Sequence, residues 1–394
     1  ICIWRAAAKA AARHTLRDII LQLLSISSAL GAVGAVLLAI LILLAMITIH
    51  EFGHYVAGKS LGFKINEFAV GFGPALIKRK SKKSGEVFSV RAIPLGGYCA
   101  FEGEETEEGL LSRNSFNSKP PWQRIIVLVS GALFNYITAV ILIIISFLAF
   151  GQMVLRIDGV TYPEGYDQSN SFVAGDVILE AEGQGVYLTT DLMSALEGKL
   201  SGERAQFTVV RGGSVTDICV SLRQDCLFEN SSDTSRLWGA LGLDTEVRDD
   251  GNAYWTVGTE SYRFSFFESC GRAFGYSFKI AGTIFRVLGE LIMGDIGLSA
   301  MGGPVTTIKL TSELASQGVQ SFLEIAAYIG VNLAVFNLLP IPALDGSKVI
   351  FCLIEWIFKK PVPRRIEAAI HAAGFILILL FAVLVDILQF ARCG

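Results

Sequence analysis

The chain has 394 residues, of which 52% are hydrophobic and 18% charged, with a formal net charge of −3. A charged share below the roughly 25% of soluble domains, with a mean hydropathy of +0.52, argues against an ordinary soluble protein and for a membrane protein. The small acidic balance, with no basic patch interleaved with aromatics, argues against a nucleic-acid partner.

The chain opens on Ile1, which reads as a trimmed chain or a fragment. A basic lead is drawn over 1–28, and its alanine-rich stretch RAAAKAAARHTLRDII (5–20) suits an interfacial helix or part of a targeting segment. The first predicted transmembrane helix covers 29–56. Residues 29–49 carry no charge, and the helix ends in His50-Glu51-Phe52-Gly53-His54. The run is too long for a signal-peptide core and no small-residue cleavage site follows, so it reads as a retained span.

Residues 57–124 form a basic connector. It holds five positive charges in six residues (Lys78, Arg79, Lys80, Lys82, Lys83). The alternating stretch VFSVRAI, a turn at Gly96-Gly97 and the β-like YCAFEG follow, so a membrane-associated β hairpin or small sheet is expected. A second span is predicted over 125–150. Residues 151–225 read as strand, turn, strand, helix (189–199), strand, turn, strand. That order is similar to a PDZ domain, although any small β-rich insert would share it. A PDZ-like module offers an edge strand to a peptide end. Cys219 and Cys226 lie seven apart and could bridge in an oxidising space; free thiols are the alternative. Absence of a CxxC pair argues against a cysteine zinc knot or dithiol motif.

Residues 226–321 read as an extracytoplasmic segment, polar loop to 265 and then amphipathic helix over 266–295. A third span, apolar over 322–341, is drawn through Asp345 to 346. A connector at 347–365 and a fourth span at 366–390 complete the chain. The fold class expected is a polytopic α-helical membrane protein of about four transmembrane helices, with the β hairpin and one extracytoplasmic PDZ-like domain. Orientation follows from charge. The 57–124 connector has 11 Lys/Arg and 342–365 has five, whereas 151–321 has 12 against 22 Asp/Glu. The positive-inside rule places the first two in the cytoplasm and the PDZ-like region outside. The basic lead at 5–17 would then be external, against the rule, but the denser cluster at 78–83 outweighs it.

His50 and His54, four apart on a helix, can present imidazoles to one metal ion, with Glu51 beside them to accept a proton. HExxH pentapeptides also arise by chance, and histidines can merely mark a span's interfacial end. Within an apolar span, however, such residues are a functional-site hypothesis by default. A catalytic zinc needs a third protein ligand. Asp345 follows the third span at the same cytoplasmic depth, though an Asp-Gly turn is the ordinary alternative. Pro340 and Pro342 break that helix, and non-helical backbone at this depth belongs against protein or a wet cavity.

HEFGH in one span, NLLPIPALDG in a later one, RAIPLGGYCAFEGEE (91–105), SGALFNY (130–136) and MGGPV (301–305) occur in that frame. With them the chain resembles the site-2 protease family of intramembrane zinc metalloproteases, most closely the bacterial regulator-of-sigma-E protease branch. The resemblance implies zinc held by His50, His54 and Asp345, and Glu51 as general base. It implies cleavage of single-span membrane proteins in a cell (inner or plasma) membrane. It also implies that Asn337, with Pro340 of its NxxP pattern, and Asn135 hold the unwound substrate or the oxyanion. The sheet at 87–101 would offer its edge to substrate, with Gly96 and Gly97 allowing close backbone approach. Well-known members have two PDZ domains; this chain has room for one. A membrane metal transporter or a non-catalytic PDZ scaffold would share the spans, but neither explains Glu51.

Overall fold

A computed structural model of the chain describes residues 33–104, 112–160, 170–228, 234–243, 246–247, 253–254, 257–294, 297 and 302–393. The lead at 1–28 lies outside them. The chain divides into two compact units, residues 144–278 and the segments on either side.

The flanking unit is helical. Helix α1 spans Val33–Ser60 and α2 runs Pro121–Phe150, continuing beyond this unit. After the single-turn helix Phe116–Ser118, α2 starts on Pro121, whose missing N–H costs nothing at a helix N-terminus. Helices α6 (Pro304–Ala315), α7 (Val319–Leu338), α8 (Asp345–Phe358) and α9 (Arg364–Cys393) follow. Among the described residues, four helices are long and apolar enough to cross a membrane: α1, α2, α7 and the Arg364–Gln389 part of α9. Their outward faces carry Leu37, Leu41, Ile137, Ile141, Leu377 and Leu380, all about half exposed or more. Apolar exposure on that scale suits lipid, not water. This is a multi-pass membrane protein.

The third span ends earlier than expected, at Leu338 rather than 346. Pro340 and Pro342 supply no N–H, and Ala343 turns through the left-handed region at φ +78°. Asp345 therefore opens a separate helix, α8, which occupies most of the segment expected as a connector. The segment is helical because VIFCLIEWIF is an apolar run, although 342–365 also carries five positive charges.

The connector after α1 folds as two long strands, β1 (Ile65–Lys80) and β2 (Val87–Phe101). Each bends back on itself. Ala69 pairs with Tyr98 on one side and Ser89 on the other, and residues 75–80 pair with 87–91. Four runs thus lie side by side, with 97–101 at one edge. The turn expected at Gly96-Gly97 falls within β2. Residues 87–90 run alongside 67–70 in the same direction and 97–101 in the opposite one. Strand β2 therefore reverses between 91 and 97, with Gly96 at φ +119°, and the chain also reverses at 81–86. Glu67 braces the sheet: burial pushes its carboxyl up, but hydrogen bonds from Ser89 and Arg91 outweigh this and hold it below the usual carboxylate range.

The unit over 144–278 is β-rich. Its strands are β3 (Gln152–Ile157), β4 (Val177–Ala181), β5 (Gln184–Gly185), β6 (Arg204–Arg211) and β7 (Ser214–Ser221), with α3 at Thr189–Leu196 and α4 at Thr234–Leu241. Short β8 (Glu246–Val247) and β9 (Ala253–Tyr254) pair with each other, and β10 (Val257–Tyr262) and the start of α5 (Phe266–Met293) follow. The sheet order is β10-β3-β4-β6-β7, with β5 on β4. Alternation in β6 sends Ala205, Phe207 and Val209 inward. Gly212 and Gly213, both at positive φ, make the tight turn to β7. Asp191 caps α3 by accepting the N–H groups of Tyr187 and Leu188. Cys219 points out of β7 while Cys226 lies in the core, and both are free.

Residues 226–265 depart from the expected polar loop. Helix α4 buries Leu237, Trp238 and Leu241 in the core, and β10 pairs with β3 from Val257–Ile157 to Tyr262–Gln152. VGTESY has little apolar alternation because it is an edge strand, so pairing rather than burial defines it. Helix α5 covers the stretch expected to be amphipathic.

Phe207 is fully buried and stacks edge-on against Phe172. Phe207→Ala is expected to lower the opening free energy of β4 and β6 amides by about 3–5 kcal/mol. Hydrogen exchange on the full chain reads this; unchanged protection would contradict the packing described.

Candidate metal centre

The last turns of α1 carry His50, Glu51 and His54. Both imidazoles are buried. Helical spacing sets their rings edge to face at a centroid distance of 4.6 Å, and their Nε2 atoms are 3.1 Å apart. Two glycines make the position possible. A Cβ on Gly53 would lie 2.5 Å from the Ser130 carbonyl oxygen and 3.0 Å from Gly131 Cα, so α1 and α2 meet backbone to backbone. A Cβ on Gly131 would lie 2.6 Å from His54 Nε2 and 2.7 Å from His50 Cε1. The site's rear wall is therefore a bare stretch of α2. Sequence reasoning passed over this pairing, although a glycine within an apolar span is the usual mark of close helix contact.

His54 Nδ1–H donates to the Val127 carbonyl at 2.8 Å, which leaves the Nε2 lone pair facing the site. His50 Nδ1 meets the side-chain amide of Asn337, from α7, at 3.4 Å. Asp345, on the first turn of α8, brings Oδ2 to 2.9 Å from His50 Nε2 and 3.2 Å from His54 Nε2. Ligand atoms of His50, Glu51 and His54 lie within 4.8 Å of one another. Glu51 also faces the β sheet: its carboxylate lies against the Cys99 backbone, and a Cβ on Gly97 would lie 3.6 Å from its Cγ. A cavity of about 680 Å³ opens here, lined by Glu51, His54, Tyr98, Cys99, Asp345 and Lys348 among others.

The donor set fits zinc. Nitrogen and oxygen ligands at about 2.0–2.2 Å in tetrahedral array stand about 3.3–3.6 Å apart, and the three atoms here form a slightly tighter triangle of 2.9–3.2 Å. Two imidazole nitrogens and a carboxylate oxygen settle at that range when a shared proton or a metal cation joins them.

The residues match the model of peptidase family M50 over residues 38–381. The chain belongs to this family, the site-2 proteases. Curated relatives share the printed name "Putative zinc metalloprotease". One from Clostridium perfringens is 30% identical over 351 residues, covering 89% of this chain and 96% of its own. One from Fusobacterium nucleatum is 30% identical over 353 residues, covering 89% and 97%. One from Campylobacter jejuni is 29% identical over 358 residues, covering 89% and 92%. The M50 chain is a zinc metalloprotease of the membrane.

The other sequence-predicted residues are spread out. Asn337 touches His50. Gly97 lies beside Glu51, whereas Gly96 packs against the Phe72 ring. Pro340 ends α7 without a described contact to the ligand triangle. Asn135, one turn from Gly131 on α2, is fully buried, and neither polar atom of its side chain has a hydrogen-bond partner. The backbone carbonyl oxygen of Asn135 would lie 3.3 Å from a Cβ on Gly330 of α7.

Gly131→Ala tests the rear wall. Its methyl would strike both imidazoles, so the purified chain is expected to lose zinc at least about tenfold more readily to a chelator with unchanged helix content by circular dichroism. Wild-type zinc retention would show that the wall yields.

Proposed function

We propose that this chain hydrolyses peptide bonds within or near the transmembrane helices of single-span membrane proteins in a cell membrane. The observation that carries the reading is the convergence of His50, His54 and Asp345 at the end of an apolar helix, where charged groups are costly. Those three residues would hold zinc. Zinc bound there supplies Lewis acidity, which activates a water nucleophile and polarises a peptide carbonyl near neutral pH.

The chain's own groups do the rest. Glu51, adjacent in sequence and facing the same cavity, takes a proton from the attacking water and returns it to the leaving amine nitrogen. Hydrogen bonds from Asn337 and Asn135 suit the substrate backbone or the developing oxyanion. The unpartnered amide of Asn135 supports this, since a buried amide with no partner is unfavourable until something binds. A helical substrate hides its carbonyls in its own hydrogen bonds and must unwind. The 97–101 edge of the sheet, beside Glu51, can replace those bonds by strand addition. Gly97 leaves room for backbone approach.

The positive charges at 78–83 and 342–365 support a cytoplasmic sheet and metal end, with the β-rich unit outside. We read that unit as PDZ-like, on the β4–β5–α3–β6 order, with a peptide C-terminus as its ligand. Regulated intramembrane proteolysis is the corresponding role.

Glu51→Gln, assayed with a tagged single-span substrate, is expected to lose cleavage by at least about 10²–10⁴-fold while zinc content stays at the wild-type level. Equal cleavage by both forms would refute the protease mechanism. Asn135→Leu is expected to leave thermal stability unchanged or raised, because a buried unpaired amide is removed, yet to lower kcat about tenfold or more. Lower stability with intact kcat would make Asn135 a packing residue instead.

A further inference from the structure

The loop that presents Asp345 is short and unusual. It runs from Leu339 to Leu344 and contains Pro340 and Pro342. Its Ala343 sits in the left-handed region, at φ +78°, a conformation that a residue with a Cβ rarely adopts. Asp345 follows two residues later. Such a conformation persists only where its surroundings over-determine it.

Those surroundings come from α9. The Ala343 N–H donates to His371 Nδ1 at 3.0 Å. An acceptor at Nδ1 places the neutral ring's proton on Nε2. The Phe351 ring of α8 meets the imidazole at 5.7 Å, edge to face. Gly374, one turn further along α9, accepts the loop itself: a Cβ there would lie 2.9 Å from the Pro342 carbonyl carbon and oxygen. Most of α9 is exposed apolar surface, so a histidine on it stands out as an ionisable group in a lipid-facing span. Its side chain is only 18% exposed, turned to the loop rather than outward.

We propose that His371 is a positioning residue for Asp345: its Nδ1 lone pair anchors Ala343 while Gly374 seats Pro342, so the fourth span sets the aim of the third metal ligand. The inference rests on the ligand assignment under Proposed function. A displacement of about 1 Å at a site built from three elements is enough to spoil its geometry.

The test compares His371→Asn with His371→Leu in the full chain, purified in detergent. Asn and Leu have nearly the same shape, but Asn keeps an acceptor at the δ position. Zinc retained against graded chelator is measured by mass spectrometry, and cleavage kinetics are measured alongside. His371→Asn is expected to hold zinc within about twofold of wild type, and His371→Leu to lose it about tenfold more readily, with kcat lowered and KM unchanged. Equal behaviour of the two variants, whether both retain zinc or both lose it, would overturn the assignment. Should the Leu chain not fold, His371→Gln replaces it, since its oxygen lies one carbon too far; Gln matching Asn would then overturn the assignment. Zinc retention needs no substrate. A chain that holds zinc but cleaves nothing would refute proteolysis and leave the role of His371 standing.

Discussion

Two imidazole nitrogens and a carboxylate oxygen within 3.2 Å of one another form an arrangement that apolar surroundings oppose unless a proton or a metal cation joins them. The rest of the helical unit can be understood as the means of holding that triangle together. Helix geometry supplies the His50–His54 spacing without help from the rest of the fold. The Val127 carbonyl sets the tautomer of His54. Two prolines end α7 so that Asp345 can begin a new helix pointing back at the site. Each device is local and inexpensive, and together they place three donors from two distant stretches of chain on one centre.

How much of this could be read in advance depends on the range of the interaction. His50, Glu51 and His54 were legible because an i, i+4 relation belongs to any helix. Asp345 was legible by a longer route, from charge bias and the need for a third ligand at one membrane depth. What escaped was contact between backbones. Nothing in a single sequence pairs Gly53 with Ser130 or Gly131 with two imidazoles, because glycine leaves no pattern except its small size. Helix α8 escaped for another reason: its apolar run lies in a stretch judged by its positive charges.

The strands show the same division. Alternation marks β6 because one face is buried. It hardly marks β10, whose exposed edge position leaves Val257 and Tyr262 as its large apolar side chains. In the sheet formed by β1 and β2, composition correctly signalled extended structure, yet the register was out of reach. The glycines mark the reversal within β2 but do not say that its two arms flank 65–70 rather than each other. Only the doubled pairing of Ala69, with Tyr98 and Ser89, shows that.

The touching backbones of α1 and α2 have one more effect. Where two helices meet with no side chain between them, neither can roll or slide past the other without steric collision. They act as a fixed jamb, so relative motion at the metal centre is easier where it is bordered through side chains, at the sheet and the later helices.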